Sequence, residues 1–243
     1  MERRMVIMGA TSGIGYEVAK IYQRRGYRLG LAGRRLDRLK KIQANDLEQI
    51  KIKQIDVTTQ EAPRLLNELI QELGGMDLFL LCSGIGSQNQ ALTNEIELAT
   101  IQTNAAGFAQ MVLTAYHYFE RQGKGHIAVI SSIAGTKGLG VAPAYSATKG
   151  FQNIYIDALS QLTHMTKKKI LFTDIRPGFV KTDLLKDGRD YPMLLTPQYA
   201  AQQIAKAIDL KKRKAIIDRK YAILVFFWRL LPEWIWERLP IRN

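Results

Sequence analysis

Short apolar runs and longer segments of helical spacing alternate along most of this 243-residue chain. The apolar runs cover residues 5–8, 29–32, 50–55, 78–81, 127–130, 170–175 and 215–217. The helical segments cover residues 14–24, 35–44, 62–73, 95–121, 145–165 and 198–208, the last with Pro197 at its start. Repeated strand and helix, with strands this short, are typical of βαβ units. The pattern predicts an α/β fold with a doubly wound, open parallel sheet, helices on both faces and ligands beyond the carboxyl ends of the strands.

Composition limits the class of protein. Because 47% of the residues are hydrophobic, the chain can bury one sizeable core. The only cysteine, Cys82, excludes a disulfide framework and a cysteine metal cluster, and we predict no metal site. The N-terminus enters an apolar strand without the pattern of a signal peptide, so we expect a cytoplasmic protein.

The net charge of +13 is concentrated in clusters. The basic residues gather around Arg34, Arg35 and Arg38, at residues 167–169, and at residues 211–214 with Arg219 and Lys220. Such an excess suits nucleic acid or an anionic membrane, and it equally suits a solvated protein surface. No nucleic-acid motif accompanies the clusters, so we expect no nucleic-acid partner.

Three glycines, Gly9, Gly13 and Gly15, occupy the turn that leads from the first predicted strand into the first predicted helix. Glycine permits a tight turn and lets a pyrophosphate approach the backbone, while the N–H groups and positive dipole end of the helix favour an anion. The turn therefore predicts a phosphate-binding site. A tight turn with a purely structural role would contain the same residues.

Two arginines, Arg34 and Arg35, follow the second strand, where a dinucleotide-binding fold often has an acidic residue on the adenosine ribose. A guanidinium group matches a 2′-phosphate in charge and geometry, so these residues favour NADP(H) over NAD(H). The alternative is a solvated helix start. Asp37 comes several residues later, and we expect it on the helix surface.

A candidate proton-transfer pair, Tyr145 and Lys149, lies at the head of a predicted helix, one turn apart and on one face. An adjacent ammonium group favours the phenolate, so we expect it to lower the pKa of Tyr145 and to ease proton exchange near neutral pH. Ser132 follows a strand end and could stabilise charge on a substrate oxygen. By itself the Tyr-x-x-x-Lys spacing is a common surface pair.

Together these residues resemble the short-chain dehydrogenase/reductase family. The resemblance spans residues 5–217, and its motifs, in the family's order and spacing, are Gly9, Gly13, Gly15, Asn104, Ser132, Tyr145, Lys149, Pro177 and Gly178. It implies a Rossmann-like fold with about seven parallel strands. It also implies an NADP(H)-dependent oxidoreductase that interconverts a secondary alcohol and a ketone, with Tyr145 as acid/base.

The resemblance further implies roles for residues that spacing alone does not single out. Lys149 would bind the nicotinamide ribose together with Tyr145, and Asn104 would hold a water in the proton relay. The other implied cofactor-binding residues are Thr11, Ser12 and Ile14 in the glycine turn, Asp56 and Val57 at the adenine, Gly84, and Pro177, Gly178, Val180 and Thr182 at the nicotinamide.

One departure from the family is Leu81-Cys82-Ser83-Gly84, where Asn-Asn-Ala-Gly is usual. The missing asparagine ordinarily steadies the backbone around the adenosine ribose, so the change concerns cofactor affinity rather than chemistry. We expect Cys82 to be a small buried apolar residue and not a nucleophile.

The C-terminal segment is apolar and aromatic, and we separate it, as a helical extension over residues 218–243, from a dinucleotide-binding and catalytic domain over 1–217. It is too short to cross a membrane but could lie in the interface, with Trp228, Trp234 and Trp236 at the headgroups and residues 211–214 on anionic lipid. A packed terminal helix or a dimer contact fits equally well. The segment could also wall the substrate cleft, which would favour a lipophilic alcohol or ketone.

Two other functions compete with the enzyme. One is a non-catalytic NADP(H)-sensing binding protein on the same fold, and the other is a basic membrane or nucleic-acid adaptor that rests on charge alone. The intact set of Ser132, Tyr145 and Lys149 favours the enzyme, because a sensor needs no proton donor. The loop at residues 183–195 is mixed in character and identifies no substrate. We expect a homodimer or homotetramer.

Overall fold

Seven parallel strands form the centre of the protein. The structure is a computed structural model that describes residues 3–44, 46–185 and 188–241. The strands are β1 (Arg4–Met8), β2 (Arg28–Gly33), β3 (Ile50–Gln54), β4 (Leu78–Leu81), β5 (Lys124–Ile130), β6 (Lys169–Pro177) and β7 (Lys214–Ile217). Their order across the sheet is β3-β2-β1-β4-β5-β6-β7, with every neighbouring pair parallel. The predicted Rossmann-like fold is confirmed, and the chain reverses direction across the sheet between β1 and β4, which opens a crevice at their carboxyl ends.

Helices follow the strands as the alternation predicts. They are α1 (Gly13–Arg24), α2 (Leu36–Gln43), α3 (Ala62–Glu72), α4 (Asn94–Ile101), α5 (Phe108–Gln122), α6 (Pro143–Met165), α7 (Pro197–Asp209), α8 (Arg219–Leu230) and α9 (Glu233–Trp236). The single helix predicted over residues 95–121 is wrong in one respect, because a π-helix, Gln102–Gly107, separates α4 from α5. The wider turn of a π-helix adds a residue that apolar spacing does not reveal.

A separate hydrophobic core covers each face of the sheet. On one face α1 and α7 pack together, with Tyr22 and Ile204 among their buried residues. On the other face α3, α5 and α6 contribute buried residues such as Leu66, Phe119 and Ile156. This burial on both faces explains why the strands are continuous apolar runs rather than alternating ones.

The C-terminal helices pack beside the carboxyl end of the sheet. Tyr221 and Val225 of α8 form a small buried cluster with Ile133. Asp218 begins α8, because its carboxylate accepts a hydrogen bond from the backbone N–H of Lys220 at 2.8 Å. Among the residues that the structure describes, no helix has the length and apolar character needed to cross a membrane.

Of the three tryptophans that the membrane alternative would place at lipid headgroups, two make hydrogen bonds to the protein. The indole N–H of Trp228 donates to Thr136 Oγ1 at 2.9 Å, and that of Trp236 donates to the carbonyl of Gly138 at 2.7 Å. Only Trp234 is exposed. A tryptophan ring that is buried usually needs a hydrogen-bond acceptor for its N–H, and Trp228 and Trp236 each find one on the protein.

Candidate functional site

A cavity of about 650 Å³ lies at the carboxyl ends of the strands. It is lined by most of the predicted site residues: Gly9, Thr11, Ser12, Gly13, Ile14, Gly15, Arg34, Arg35, Asp56, Val57, Gly84, Ser132, Tyr145, Lys149, Pro177, Gly178, Val180 and Thr182. Asn104 does not line the cavity but lies buried behind it. Of the loop at residues 183–195, Lys186 and Asp187 lie outside the described residues, as do the last two residues of the C-terminal extension.

The glycine turn leaves no room for side chains on its inner side. Gly9 has φ +91°, and a Cβ atom there would lie 2.8 Å from the backbone nitrogen of Ser83. A Cβ atom on Gly15 would lie 2.2 Å from the carbonyl oxygen of Gly9. Ser12 precedes α1 without a side-chain cap, and the first turn of α1 contains no acidic residue. The positive end of the helix therefore borders the cavity without a carboxylate from its own first turn.

Arg35 lies over the glycine turn. Its guanidinium donates to Thr11 Oγ1 at 2.8 and 3.1 Å and to Ser12 Oγ at 2.5 Å. The guanidinium of Arg35 also lies 3.3 Å from Asp183 Oδ2, and the guanidinium of Arg38 lies 3.5 Å from the same oxygen. The Arg35 guanidinium therefore contacts the glycine turn directly, and the carboxylate of Asp183, from the segment after β6, helps to hold it there.

The other charged residues after β2 are solvent-exposed. Arg34 is exposed, and its carbonyl accepts a hydrogen bond from Gln54 Nε2 at 2.9 Å. Asp37 is exposed on α2, as expected. The contact between Arg38 and Asp183 was missed, although the arginine cluster and the acidic residue after Thr182 were both visible in the sequence.

Tyr145 and Lys149 lie on one face of α6, as predicted. The Lys149 ammonium is 5.7 Å from the centroid of the Tyr145 ring. It donates hydrogen bonds to the carbonyl of Ile130 at 3.0 Å and to Gln152 Oε1 at 3.1 Å. Ser132 Oγ accepts from the backbone N–H of Ala134 at 3.1 Å, so the hydroxyl caps a 3₁₀ turn beside the cavity. These three side chains share the cavity wall.

The expected lowering of the Tyr145 pKa by the ammonium is wrong. Burial raises the pKa of the Tyr145 phenol, while the Ser132 hydroxyl acts in the opposite direction. Burial also lowers the pKa of Lys149 to about 8. The nearby ammonium by itself predicts a lowered pKa for Tyr145. That prediction neglected the cost of placing a charged phenolate in a buried site, which raises the pKa.

A hydrogen-bonded chain connects Lys149 to Asn104 across the buried wall. Gln152 accepts from Lys149 and donates from Nε2 to the carbonyl oxygen of Asn104 at 2.8 Å. The Asn104 amide in turn holds the backbone of Ile85, accepting from its N–H at 2.9 Å and donating to its carbonyl at 2.6 Å. Asn104 lies within the π-helix, so the irregular helix and the site share this residue. Gln152 was missed, although it lies one turn beyond Lys149 on the same face of α6.

Two further predicted residues, Asp56 and Val57, lie just after β3. Asp56 Oδ1 accepts from the backbone N–H and the hydroxyl of Thr58, at 2.9 and 2.8 Å, and the carbonyl of Val57 accepts from Gln110. Cys82, after β4, is half-buried against the core, and burial raises the pKa of its thiol to about 12. A thiol with this pKa is not a nucleophile at neutral pH.

The rest of the cavity wall is mainly apolar and includes residues of α8. Tyr221, Leu224 and Trp228 line it from this helix. Beside them, in the same lining, are Phe179, Tyr191, Pro192 and Met193 from the segment after β6. In the described ranges, no group of three or more His, Cys, Asp or Glu side chains could hold a metal ion.

The Tyr221 hydroxyl ties α8 to this segment. It donates to the carbonyl oxygens of Pro192 and Met193, at 3.0 and 3.1 Å, and accepts from the backbone N–H of Phe179 at 3.0 Å. Tyr221 itself is completely buried. Helix α8 and the segment after β6 therefore form the apolar part of the cavity together.

The chain is similar to known proteins over most of its length. Residues 3–191 match the family model described as short chain dehydrogenase. An uncharacterized oxidoreductase of Myxococcus xanthus is 32% identical over 239 residues, which cover 95% of this chain and 93% of that protein. An uncharacterized oxidoreductase of Mycobacterium tuberculosis is 28% identical over 247 residues, covering 97% and 96%. The solved structure of a short chain dehydrogenase from Burkholderia cenocepacia in complex with NADP has a TM-score of 0.84 at 15% identity, covering 99% of this chain and 98% of that one.

Proposed function

The chain belongs to the short-chain dehydrogenase family of oxidoreductases, and from this we propose that it uses NADP(H) to interconvert a hydrophobic secondary alcohol and a ketone, with Tyr145 as acid/base. The observation that carries the proposal is that Ser132, Tyr145 and Lys149 line the same cavity as the glycine turn and Arg35. Proton-transfer groups and an anion-binding surface in one cavity are what hydride transfer with a phosphorylated cofactor requires.

The cavity suits a dinucleotide with an additional phosphate. Gly9 and Gly15 let the backbone turn tightly at the cavity, and the positive end of α1 and the Arg35 guanidinium both border this turn. We assign the pyrophosphate to the turn and the 2′-phosphate to Arg34 and Arg35. By the family resemblance, Asp56 and Val57 would contact the adenine, Gly84 the adenosine ribose, and Pro177, Gly178, Val180 and Thr182 the nicotinamide. NADP(H) held there would supply or accept the hydride.

The protein's own residues manage the proton. Tyr145 donates a proton to the substrate oxygen in reduction and removes it in oxidation. Lys149, with its ammonium held by Ile130 and Gln152, supplies positive charge beside the phenol. Ser132 orients the substrate oxygen, and we expect its loss to lower turnover more than binding. Asn104 reaches Lys149 through the side chain of Gln152.

The substrate class follows from the apolar half of the cavity. Phe179, Tyr191, Met193, Leu224 and Trp228 present aromatic and aliphatic surface to it. Such a wall stabilises a bound aliphatic or aromatic group by removing apolar area from water. A lipophilic ketone or alcohol therefore fits better than a sugar or a charged metabolite.

The test combines cofactor binding with turnover. We expect purified protein to bind NADPH more tightly than NADH in fluorescence titrations, and to consume NADPH with members of a panel of aliphatic, steroid, retinoid and 3-oxoacyl carbonyls. Tyr145→Phe should abolish turnover and leave NADPH binding nearly unchanged. Tyr155→Phe, on the same helix but outside the cavity lining, is the matched control and should retain activity.

Three outcomes would contradict the proposal. An active Tyr145→Phe variant would show that Tyr145 is not the acid/base. Binding of NADH more tightly than NADPH would show that Arg34 and Arg35 do not bind a 2′-phosphate. Tight NADPH binding without turnover on any carbonyl or alcohol would favour the cofactor-sensing protein instead.

A further inference from the structure

Helix α8 is apolar on two opposite faces. Its inner face consists of Tyr221, Val225 and Trp228, which pack on the protein. Its outer face consists of Ile223, Phe226, Phe227 and Leu230, at positions i, i+3, i+4 and i+7 of one stripe. These four side chains are 59%, 61%, 61% and 65% exposed. A contiguous apolar stripe of this kind is normally buried, so the exposed outer face of α8 marks a candidate interaction surface.

Positive charge borders the outer face. Arg219 and Lys220 lie one turn before Ile223 on the same side of the helix, and Arg229 lies at its edge. The sequence of α8 contains no acidic residue. Lys211 and Lys212, which precede β7, are also exposed, and the chain as a whole carries a net charge of +13. An apolar stripe bordered by basic residues is complementary to a surface that has both anionic groups and a hydrocarbon layer.

We propose that the outer face of α8 binds the surface of an anionic lipid bilayer, with the helix lying in the plane of the interface. At about 1.5 Å per residue the 12-residue helix is about 18 Å long, which suits this orientation and not a span. The exposed ring of Trp234, shortly after α8, adds a residue that favours the headgroup region.

A second copy of the chain fits the charges less well. A symmetric dimer through this face would bring Arg219, Lys220 and Arg229 of one copy near the same residues of the other. Like charges at an interface oppose association, whereas anionic headgroups neutralise them. The charge pattern therefore favours lipid.

The lining of the cavity reaches this helix. Leu224 lies between the two faces of α8, is partly exposed, and lines the cavity. Leu184 and Met193, which also line the cavity, are exposed to a similar extent. If the proposed lipophilic substrate is correct, it would pass between bilayer and cavity at this edge. The binding of the surface itself does not depend on that reaction.

The experiment measures co-sedimentation of the full-length protein with vesicles. Vesicles of phosphatidylcholine with about one third phosphatidylglycerol are compared with pure phosphatidylcholine, at low salt and at high salt. We expect binding to the anionic vesicles that weakens on neutral vesicles and at high salt. The double variant Phe226→Ser/Phe227→Ser should bind at least about tenfold more weakly, because it removes the two largest apolar side chains of the outer face. Arg219→Ser/Lys220→Ser should reduce the difference between anionic and neutral vesicles, because it removes two of the basic residues at the outer face.

Leu47→Ser is the matched control, because Leu47 is an exposed apolar residue just before β3, at the amino-terminal edge of the sheet. It should bind like the wild type. Circular dichroism and NADPH titration confirm that each variant is folded, independently of vesicle binding. The proposal is overturned if the wild type does not sediment with anionic vesicles, or if the double phenylalanine variant sediments equally well. It is also overturned if light scattering shows a wild-type dimer that the double variant converts to a monomer without any vesicle binding.

Discussion

Replacing Gln152 by leucine removes the polar atoms of a completely buried side chain and roughly preserves its volume. Two buried groups then lose a partner: the Asn104 carbonyl, which accepted a hydrogen bond at 2.8 Å, and the Lys149 ammonium, which donated one at 3.1 Å. A buried polar group left without its partner costs about 1–3 kcal/mol, and a charged one costs more. After the gain from the added apolar surface, we expect the free energy of unfolding to fall by about 2–5 kcal/mol.

In a domain of this size each kcal/mol corresponds to about 2–4 °C in Tm, so Tm should fall by about 5–15 °C. Thermal unfolding followed by circular dichroism measures the change. The adjacent residue provides the control, because Asn153 is also buried but its amide atoms have no hydrogen-bond partner within the described residues. Asn153→Ala should therefore change Tm little or raise it. Equal losses in both variants would mean that the bridge from Lys149 to Asn104 does not stabilise the fold.

Two further predictions concern charged residues of the cavity. Asp183→Asn removes a carboxylate that pairs with Arg35 and Arg38 at 3.3 and 3.5 Å, so it should tighten NADPH binding. Because these groups are partly exposed, the gain is at most about fivefold in Kd by fluorescence titration; an equal gain for NADH would refute competition with the 2′-phosphate. Burial lowers the pKa of Lys149 from 10.5 to about 8, so between these pH values the unfolded chain binds a proton that the folded chain lacks. Urea unfolding without added NADP(H) measures the free energy of unfolding of the wild type and of Lys149→Met. The wild-type value minus the variant value should rise by roughly 3 kcal/mol from pH 8 to 10.5. If this difference stays flat or falls, the pKa of Lys149 is not lowered in the folded protein.

Local patterns predicted the parts of this protein that depend on neighbours in sequence. Strands buried on both faces are continuous apolar runs, so all seven could be located, and the sheet follows from their alternation with helices. The glycine turn and the Tyr145–Lys149 face of α6 are also local, because their geometry is set within a few residues.

Features that depend on contacts between distant segments could not be predicted. Gln152 meets Asn104 only because α6 packs against the π-helix, 48 residues away in sequence. The pairing of Asp183 with Arg35 likewise joins two loops after different strands. The predicted lowering of the Tyr145 pKa was wrong for the same reason, because the burial that raises it is a property of the folded chain.

The hydrogen bonds of Tyr221 mean that helix α8 is needed for the structure of the cavity, although it lies near the end of the chain. Chain ends usually tolerate truncation, because few buried groups depend on them. Here a stop codon or a proteolytic cut after Lys220 would leave the N–H of Phe179 and the carbonyl oxygens of Pro192 and Met193 without the hydroxyl that holds them together. A shortened protein would therefore lose the shape of its cavity along with its surface helix, so only point substitutions can separate the two.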